Sequence, residues 1–453
     1  MSTRAQTLIF RSVLTAVLCR SLAQPADARP RSGGGSSSSS GGSTSTGSSG
    51  STTPTPPTVT ATQAVPAAAF LDSLGVNTHF NFNTNGDAYA NVATIESELE
   101  YAGFTHARDA ITGHWPLAIL QKVHADTGIK FDLVVDPSDY STELTDFRAN
   151  ATNGLIGEVE GPNEIDNWPV TYNGKTGPAA AAAFQKQFYT DMKGTASTSS
   201  IPVDSLTVAN GVYTGIGNIG PYCDYSGAHI YTQYGGTGPM LDAIEWSVAV
   251  ALTDTPSKPS VITEFGWWTQ PMSGGVSQAV QAKSALNFFF DAYKFGTHRS
   301  FIYELNDEYT DPKNTTIERH FGLFQSNGVA KTAATAMHNM TAMLYDPTPT
   351  AKPGSIPMTI STSLLGSVSS LLMQRGDGVY ILALWQDATL WDNNLLKALT
   401  VNNVQALVNF GITGKVVQVY DPMVGISPTN NYANIGGATF MVPDHPIFVF
   451  IQQ

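Results

Sequence analysis

Cysteine is almost missing from this 453-residue chain, which has only Cys19 and Cys223. Cys19 lies in a segment expected to be removed on export, which leaves one thiol and no internal disulfide, so stability must come from the size of the core. Basic residues are also scarce: 23 Lys and Arg face 36 Asp and Glu, for a formal net charge of -13. A chain of that sign lacks the electrostatic footprint of a nucleic-acid or anionic-membrane binder, and neither is expected as a partner. No apolar run approaches the ~20 residues that a spanning helix needs, which excludes membrane insertion. No Gly-x-Gly-x-x-Gly turn follows an early β-like run, and the glycines at 211–220 come too late for a dinucleotide-binding sheet. No nucleotide, flavin or metal cofactor is implied.

The first residues read as an export signal: Arg4, an apolar stretch at 12–18, and Ser21-Leu22-Ala23 as a small-residue cleavage site. Arg11 and Arg20 interrupt or flank the run, and cleavage after Ala23 would remove them and deepen the acidic excess. From 32 to 58 every residue is Gly, Ser, Thr or Pro. Such a composition buries no apolar surface and behaves as a flexible tether to a wall, a surface or another module. A secreted, periplasmic or cell-surface location and a monomeric state are expected.

After the tether, β-like runs at 75–79, 105–108, 130–135, 156–160, 206–209, 225–230, 259–263 and 300–303 alternate with helical stretches at 92–102, 117–127, 179–193, 240–252, 278–295 and 331–344. Eight strands separated by helices predict a parallel (β/α)8 TIM barrel over 61–345, with an open doubly wound sheet as the alternative. From about residue 346 the pattern changes to short alternating or apolar runs at 364–374, 378–385, 398–401, 414–420 and 438–452. Turn signals such as Arg375-Gly376-Asp377-Gly378 separate some of them, and the expectation for 346–453 is an antiparallel β-sandwich.

Two carboxylates stand where such a barrel carries chemistry. Glu164 closes Gly161-Pro162-Asn163-Glu164, and Glu264 lies in Val261-Ile262-Thr263-Glu264-Phe265-Gly266; each ends a short apolar run. Active sites of these barrels lie at the carboxyl ends of the strands. Cleaving an acetal between sugars needs an acid for the leaving oxygen and a carboxylate to capture or stabilise the oxocarbenium centre. With Asn163 directly before Glu164, and Trp168, Trp267 and Trp268 close by in sequence, the chain resembles the retaining glycoside hydrolases of clan A, a group that includes cellulases, mannanases, xylosidases and glucanases. In that clan an Asn-Glu pair ending strand four carries the acid/base, and a Glu ending strand seven is the nucleophile. The resemblance therefore implies Glu164 as acid/base and Glu264 as nucleophile.

Further residues follow from strand ends. His79 ends strand one, and Arg108 ends strand two, where the resemblance implies an arginine supporting the nucleophile; an ion pair with Asp109 is the alternative. His229 and Tyr231 end strand six. The resemblance implies that Tyr231 donates to Glu264, that His229 shapes the sugar subsite, and that Asn163 holds the sugar 2-hydroxyl. Trp115, Trp168, Trp267 and Trp268 offer flat faces for the apolar side of a sugar ring, Trp168 being the best placed. Adjacent residues of an extended stretch point opposite ways, so one of Trp267 and Trp268 is expected in the core.

Strand eight departs from the pattern of the clan, which often ends it with a tryptophan. Here Phe301-Ile302-Tyr303-Glu304-Leu305-Asn306-Asp307-Glu308 supplies Tyr303 and a polar cluster. Glu304 is a candidate for a substrate hydroxyl or an amine-bearing sugar, while Asp307, Glu308 and Asp311 lack the spacing of a calcium loop. The expected function is retaining hydrolysis of a β-linked polysaccharide or oligosaccharide. The alternatives are a transglycosylase that remodels an exopolysaccharide or cell-wall glycan, and a non-catalytic carbohydrate-binding barrel.

Overall fold

From residue 74 onward the alternation of short apolar runs with longer amphipathic ones folds as strand and helix in turn. The computed structural model describes residues 61–82, 86–112, 115–232, 239–364 and 367–453. The expected export signal, the tether and Cys19 lie outside the described residues. The barrel strands are β1 (Leu74–Asn77), β2 (His106–Ala110), β3 (Lys130–Val134), β4 (Ile156–Glu160), β5 (Val203–Asp204), β6 (Ser226–Ile230), β7 (Ser260–Phe265) and β8 (Ser300–Ile302). They pair in parallel in the order β6-β7-β8-β1-β2-β3-β4-β5. A bridge from Asp204 to Tyr225, with Ser205 N donating to Tyr225 O (3.0 Å), closes the ring. The result is a (β/α)8 barrel.

Strand five differs from its expected place at 206–209. The backbone there is taken by the segment that carries Glu164: Thr207 N donates to Pro162 O (3.1 Å), and Ile165 N donates to Thr207 O (3.0 Å). Leu206 N goes to the Gln185 side chain (3.0 Å), so only Val203–Asp204 remains free to pair as strand.

A short helix at Ala67–Asp72 precedes β1, and the longer helices are α1 (Val92–Ala102), α2 (Leu117–Thr127), α3 (Tyr140–Asn150), α4 (Pro178–Gly194), α5 (Met240–Ala251), α6 (Gln278–Phe295) and α7 (Thr332–Leu344). Helix α6 is buried along most of its length because it is covered twice. Ser277 caps it, its Oγ accepting from Val280 N (3.3 Å), and Gly296 at φ 100° ends it in the left-handed region. Toward the barrel, Phe288 stacks on Phe265 of β7 at 3.8 Å between ring centroids. Toward the C-terminal domain, Phe290 meets Trp385 and Phe448, and Asp291 accepts from Trp385 Nε1 (2.8 Å). Because the Phe265–Phe288 stack sits directly behind Glu264, Phe288→Ala should lower unfolding free energy by about 3–5 kcal/mol. A urea-midpoint shift equivalent to less than about 1 kcal/mol would contradict that packing role.

The C-terminal strands are β9 (Thr359–Thr362), β10 (Ser369–Gln374), β11 (Tyr380–Trp385), β12 (Val404–Tyr420), β13 (Asn430–Val442) and β14 (Ile447–Gln452). They run in the order β9-β12-β14-β11-β10, with β13 also on β12. Strand β12 alternates in the expected way, burying Val404, Ala406, Val408 and Phe410 while exposing the residues between. Its pairing is irregular between Asn409 and Gly414, where Gly411 takes φ 65°. The first half pairs with β9 and the second with β14, so one strand serves two layers around Leu382, Phe410, Val417, Phe440 and Val449. The N-terminal end of the segment expected for the barrel joins this domain instead. Thr62–Gln63 pairs with Ser355–Ile356, and Val65–Pro66 adds a parallel edge to β10.

Candidate active site

A buried guanidinium organises the carboxyl end of the barrel. Arg108 on β2 donates Nε to Glu160 Oε2 (2.5 Å) and Nη2 to Glu160 Oε1 (3.1 Å), a two-bond grip on a carboxylate of β4. Its Nη1 donates to Asn77 Oδ1 (2.9 Å) and Glu264 Oε1 (2.6 Å), and Nη2 reaches Asn163 Oδ1 (2.8 Å). Burial opposes this charge, but Glu160 and Glu264 outweigh it and hold the group protonated above its ordinary value. Asp109 does not pair with Arg108; it accepts from Thr78 Oγ1 (2.7 Å) and Phe80 N (2.9 Å).

Glu264 reaches this network because β7 breaks register between Ile262 and Phe265. The irregularity lets neighbours aim inward together: Thr263 Oγ1 donates to Glu160 Oε1 (3.3 Å) while Glu264 faces Arg108. The other oxygen of Glu264 accepts from Tyr231 OH (2.6 Å). Burial works against its charge, but His229, Arg108 and the Tyr231 hydroxyl hold Glu264 below its ordinary value.

Glu164 is held differently. It has φ 40°, a left-handed conformation uncommon for a side-chain-bearing residue, at the end of a tight approach in which a Cβ on Gly161 would strike Gln185 and Leu206. Its backbone N donates to Thr207 Oγ1 (3.0 Å), and Asn167 Nδ2 donates to its Oε2 (3.0 Å). His229 Nδ1 lies 2.9 Å from Glu164 Oε1 and 3.5 Å from Glu264 Oε2. Burial disfavours a charged imidazole, yet Glu264 and the bond to Glu164 raise its proton affinity above the ordinary histidine value. One oxygen of each glutamate and a ring nitrogen of His229 all lie within 4.8 Å of one another.

The remaining candidates divide. His79 and Tyr303 line the same mouth, their rings edge to face at 5.3 Å, and Tyr303 also meets Tyr231 and Phe321. Trp168 is half-buried, one turn beyond Glu164, with its N donating to Glu164 O (2.8 Å). Trp267 is the core member expected of the pair and so leaves the list of stacking faces: it is 1% exposed, packs on Phe265 and Phe288, and donates Nε1 to Thr232 Oγ1 (2.9 Å). Trp268 is 7% exposed, with its ring against Phe321 and Nε1 on Ser273 O (3.0 Å), so neither tryptophan presents an open platform. Glu304 is a correction, since it is 0% exposed behind His79 and cannot touch a sugar directly. Cys223 is buried, and that burial pushes its thiol up to about 12, which removes it as a nucleophile.

Three contributors escaped the sequence reading. Glu160 anchors Arg108, Asn77 bridges Arg108 to Thr263 O (3.1 Å), and Thr207 fixes the Glu164 backbone. The signal for Glu160 was available: Glu158 and Glu160 are acids at alternate positions of a strand, hence on one face. Asn77 and Thr207 carry no comparable mark.

No protein-family model and no curated protein sequence matches this chain. Among solved structures, a GH30 endoxylanase from Clostridium papyrosolvens C71 matches with a TM-score of 0.50 and 12% identity, over 87% of this chain and 97% of its own. A β-1,3-glucanosyltransferase mutant from Rhizomucor miehei, in complex with laminaritriose, covers 57% of this chain and 95% of its own at a TM-score of 0.45 and 16% identity. The β-glucuronidase of Faecalibacterium prausnitzii covers 59% of this chain at a TM-score of 0.45 and 15% identity, and the match spans 48% of that enzyme. The endoxylanase match shows a shared (β/α)8 TIM-barrel fold, and it extends past the barrel into the C-terminal domain.

Proposed function

We propose that this protein is a retaining glycoside hydrolase acting on β-linked polysaccharides or oligosaccharides, with Glu264 as nucleophile and Glu164 as acid/base. The observation that carries the reading is the approach of the two carboxyl groups, with oxygens within 4.8 Å and His229 between them. Retaining enzymes hold their carboxyl groups ~5–5.5 Å apart, whereas inverting enzymes need ~6.5–9.5 Å to admit a water. The unequal environments support the division of labour. Glu264 is kept ionised by His229, the Arg108 guanidinium and the Tyr231 phenol, as a nucleophile must be, while among the described residues Glu164 has no arginine or lysine bond. The strained φ of Glu164 is further support, since such conformations concentrate at functional positions.

In the first step a Glu264 oxygen attacks the anomeric carbon as the bond to the leaving oxygen breaks, and that oxygen takes the proton of Glu164. In the second, water attacks the anomeric carbon, gives its proton to Glu164, and releases Glu264. Arg108 balances the charge that Glu264 carries before and after the covalent stage. Asn163, whose oxygen is committed to Arg108, has its amide donors for the sugar 2-hydroxyl, and Trp168 offers a stacking face. The polar 32–58 segment supports action on a glycan outside the cytoplasm.

The reading is tested by exposure to activated 2-deoxy-2-fluoro-β-glycosides followed by peptide mass analysis. A single glycosyl adduct on Glu264 is expected, and an adduct elsewhere, or none with any sugar that the protein turns over, rejects the assignment. A pH test reports on the same carboxylate. Activity should fall as pH drops through the depressed pKa of Glu264, and Tyr231→Phe removes a donor that depresses it. The acidic limb of kcat/KM should therefore move to higher pH in that variant; an unmoved limb would detach Tyr231 from the nucleophile.

A further inference from the structure

Beside the proposed sugar site lies a second convergence of ligating groups, which the sequence reading had passed over in finding no calcium loop. One ligand atom from each of His79, Glu304 and Glu308 lies within 4.8 Å of the others. Atoms at that spacing can share one ion, because metal–ligand bonds of roughly 2.0–2.4 Å place two ligands no more than about 4.8 Å apart. We propose that His79, Glu304 and Glu308 bind a divalent cation of the zinc or manganese type at the rim of the barrel mouth. The proposal rests on these residues alone and not on the glycosidase reading.

Glu304 carries the argument. It is 0% exposed, and among the described residues neither of its carboxyl oxygens has a hydrogen-bond partner, His79 Nε2 lying 3.4 Å away. The local lysine is bonded elsewhere: Lys331 Nζ donates to Asp307 Oδ1 (2.7 Å), His320 O (3.1 Å) and Thr269 Oγ1 (3.2 Å). An unpaired buried carboxylate is strongly unfavourable, so this group needs either a proton or a positive ion.

The neighbours favour an ion. His79 Nε2 lies 3.4 Å from Glu304 Oε2, and an imidazole nitrogen is a common ligand for such ions. Glu308 is half-buried, which gives an ion a route in from solvent. Asp307 and Asp311 are not available as ligands: Asp307 holds Lys331 and Gly322 N (2.8 Å), and Asp311 accepts from Thr315 N (2.6 Å) and Thr316 N (2.8 Å). One imidazole with two carboxylates suits zinc or manganese better than calcium, which prefers all-oxygen shells. The Tyr303 ring packs on His79, so an ion here would fix both side chains at the edge of the sugar site.

The test uses the untagged full chain, stripped with a chelator and titrated with Zn2+, Mn2+ and, as a spectroscopic stand-in, Co2+. Elemental analysis should give one bound equivalent, Co2+ should develop a visible d–d band, and Tm should rise with the metal. Glu304→Gln and Glu308→Gln should each weaken binding by about tenfold or more, while Glu264→Gln should bind as the parent does. Two variants are included because Glu308 is the more exposed and its replacement the safer for folding. Absence of stoichiometric metal in the parent, or equal affinity in parent and both variants, overturns the proposal.

Discussion

Replacing Glu264 with alanine is expected to reduce turnover of a β-glycoside by about a thousandfold or more, because the covalent step disappears rather than slows. The fold should survive the change, since Arg108 keeps both bonds to Glu160 and its contacts with Asn77 and Asn163. The vacated volume lies beside a guanidinium and a phenol, a setting that admits a small anion. Added azide should therefore restore product, and the glycosyl azide should have the opposite anomeric configuration to the substrate, as NMR would read directly. More than a few per cent of parental activity without azide would remove Glu264 from the nucleophile role. A variant that fails to turn over with azide while melting like the parent would point to another residue.

The second large effect concerns Glu164. Glutamine keeps the shape of the side chain and can still meet Asn167 and His229, but it neither gives a proton to a leaving oxygen nor takes one from water. Glu164→Gln should abolish action on unactivated glycans, again by about a thousandfold or more. Aryl glycosides with good leaving groups should still form the covalent intermediate, which then persists because the second step lacks its base. A burst of phenolate followed by a very slow steady state is the expected trace. Equal losses on both substrate types, with no burst, would contradict the acid role.

The barrel was legible because its helices are long and periodic and its strands short and apolar: α1, α2 and α6 occupy the residues their patterns predicted. Helix α3 was not anticipated because Glu143, Asp146 and Asn150 fill buried positions, so the apolar stripe that marks a helix is absent. The part of strand β13 before residue 438 was missed for the converse reason. Most of its residues are exposed, and Gly436 and Gly437 interrupt the alternation. In the site, Glu164, Glu264, Arg108, His229 and Tyr231 come together as one network, each lying in the carboxyl half of a barrel strand or just beyond it. Trp268 and Glu304 were misplaced because strand-end position does not tell which side of an irregular stretch faces the cleft. Burial decided both.

The pairing of Thr62–Gln63 with Ser355–Ile356, and of Val65–Pro66 with β10, orders events during synthesis. A ribosome releases these first strands long before their partners exist, so they wait unpaired while the whole barrel emerges. Only when β10 and β11 follow can the chain's opening segment find its edge, a contact of very long sequence separation that closes late in folding. A gene fragment ending near residue 345 would thus strand the opening segment, and one beginning near residue 346 would lack an edge of its own sheet. The two halves are best swapped, truncated or fused only with 62–66 carried on the C-terminal piece.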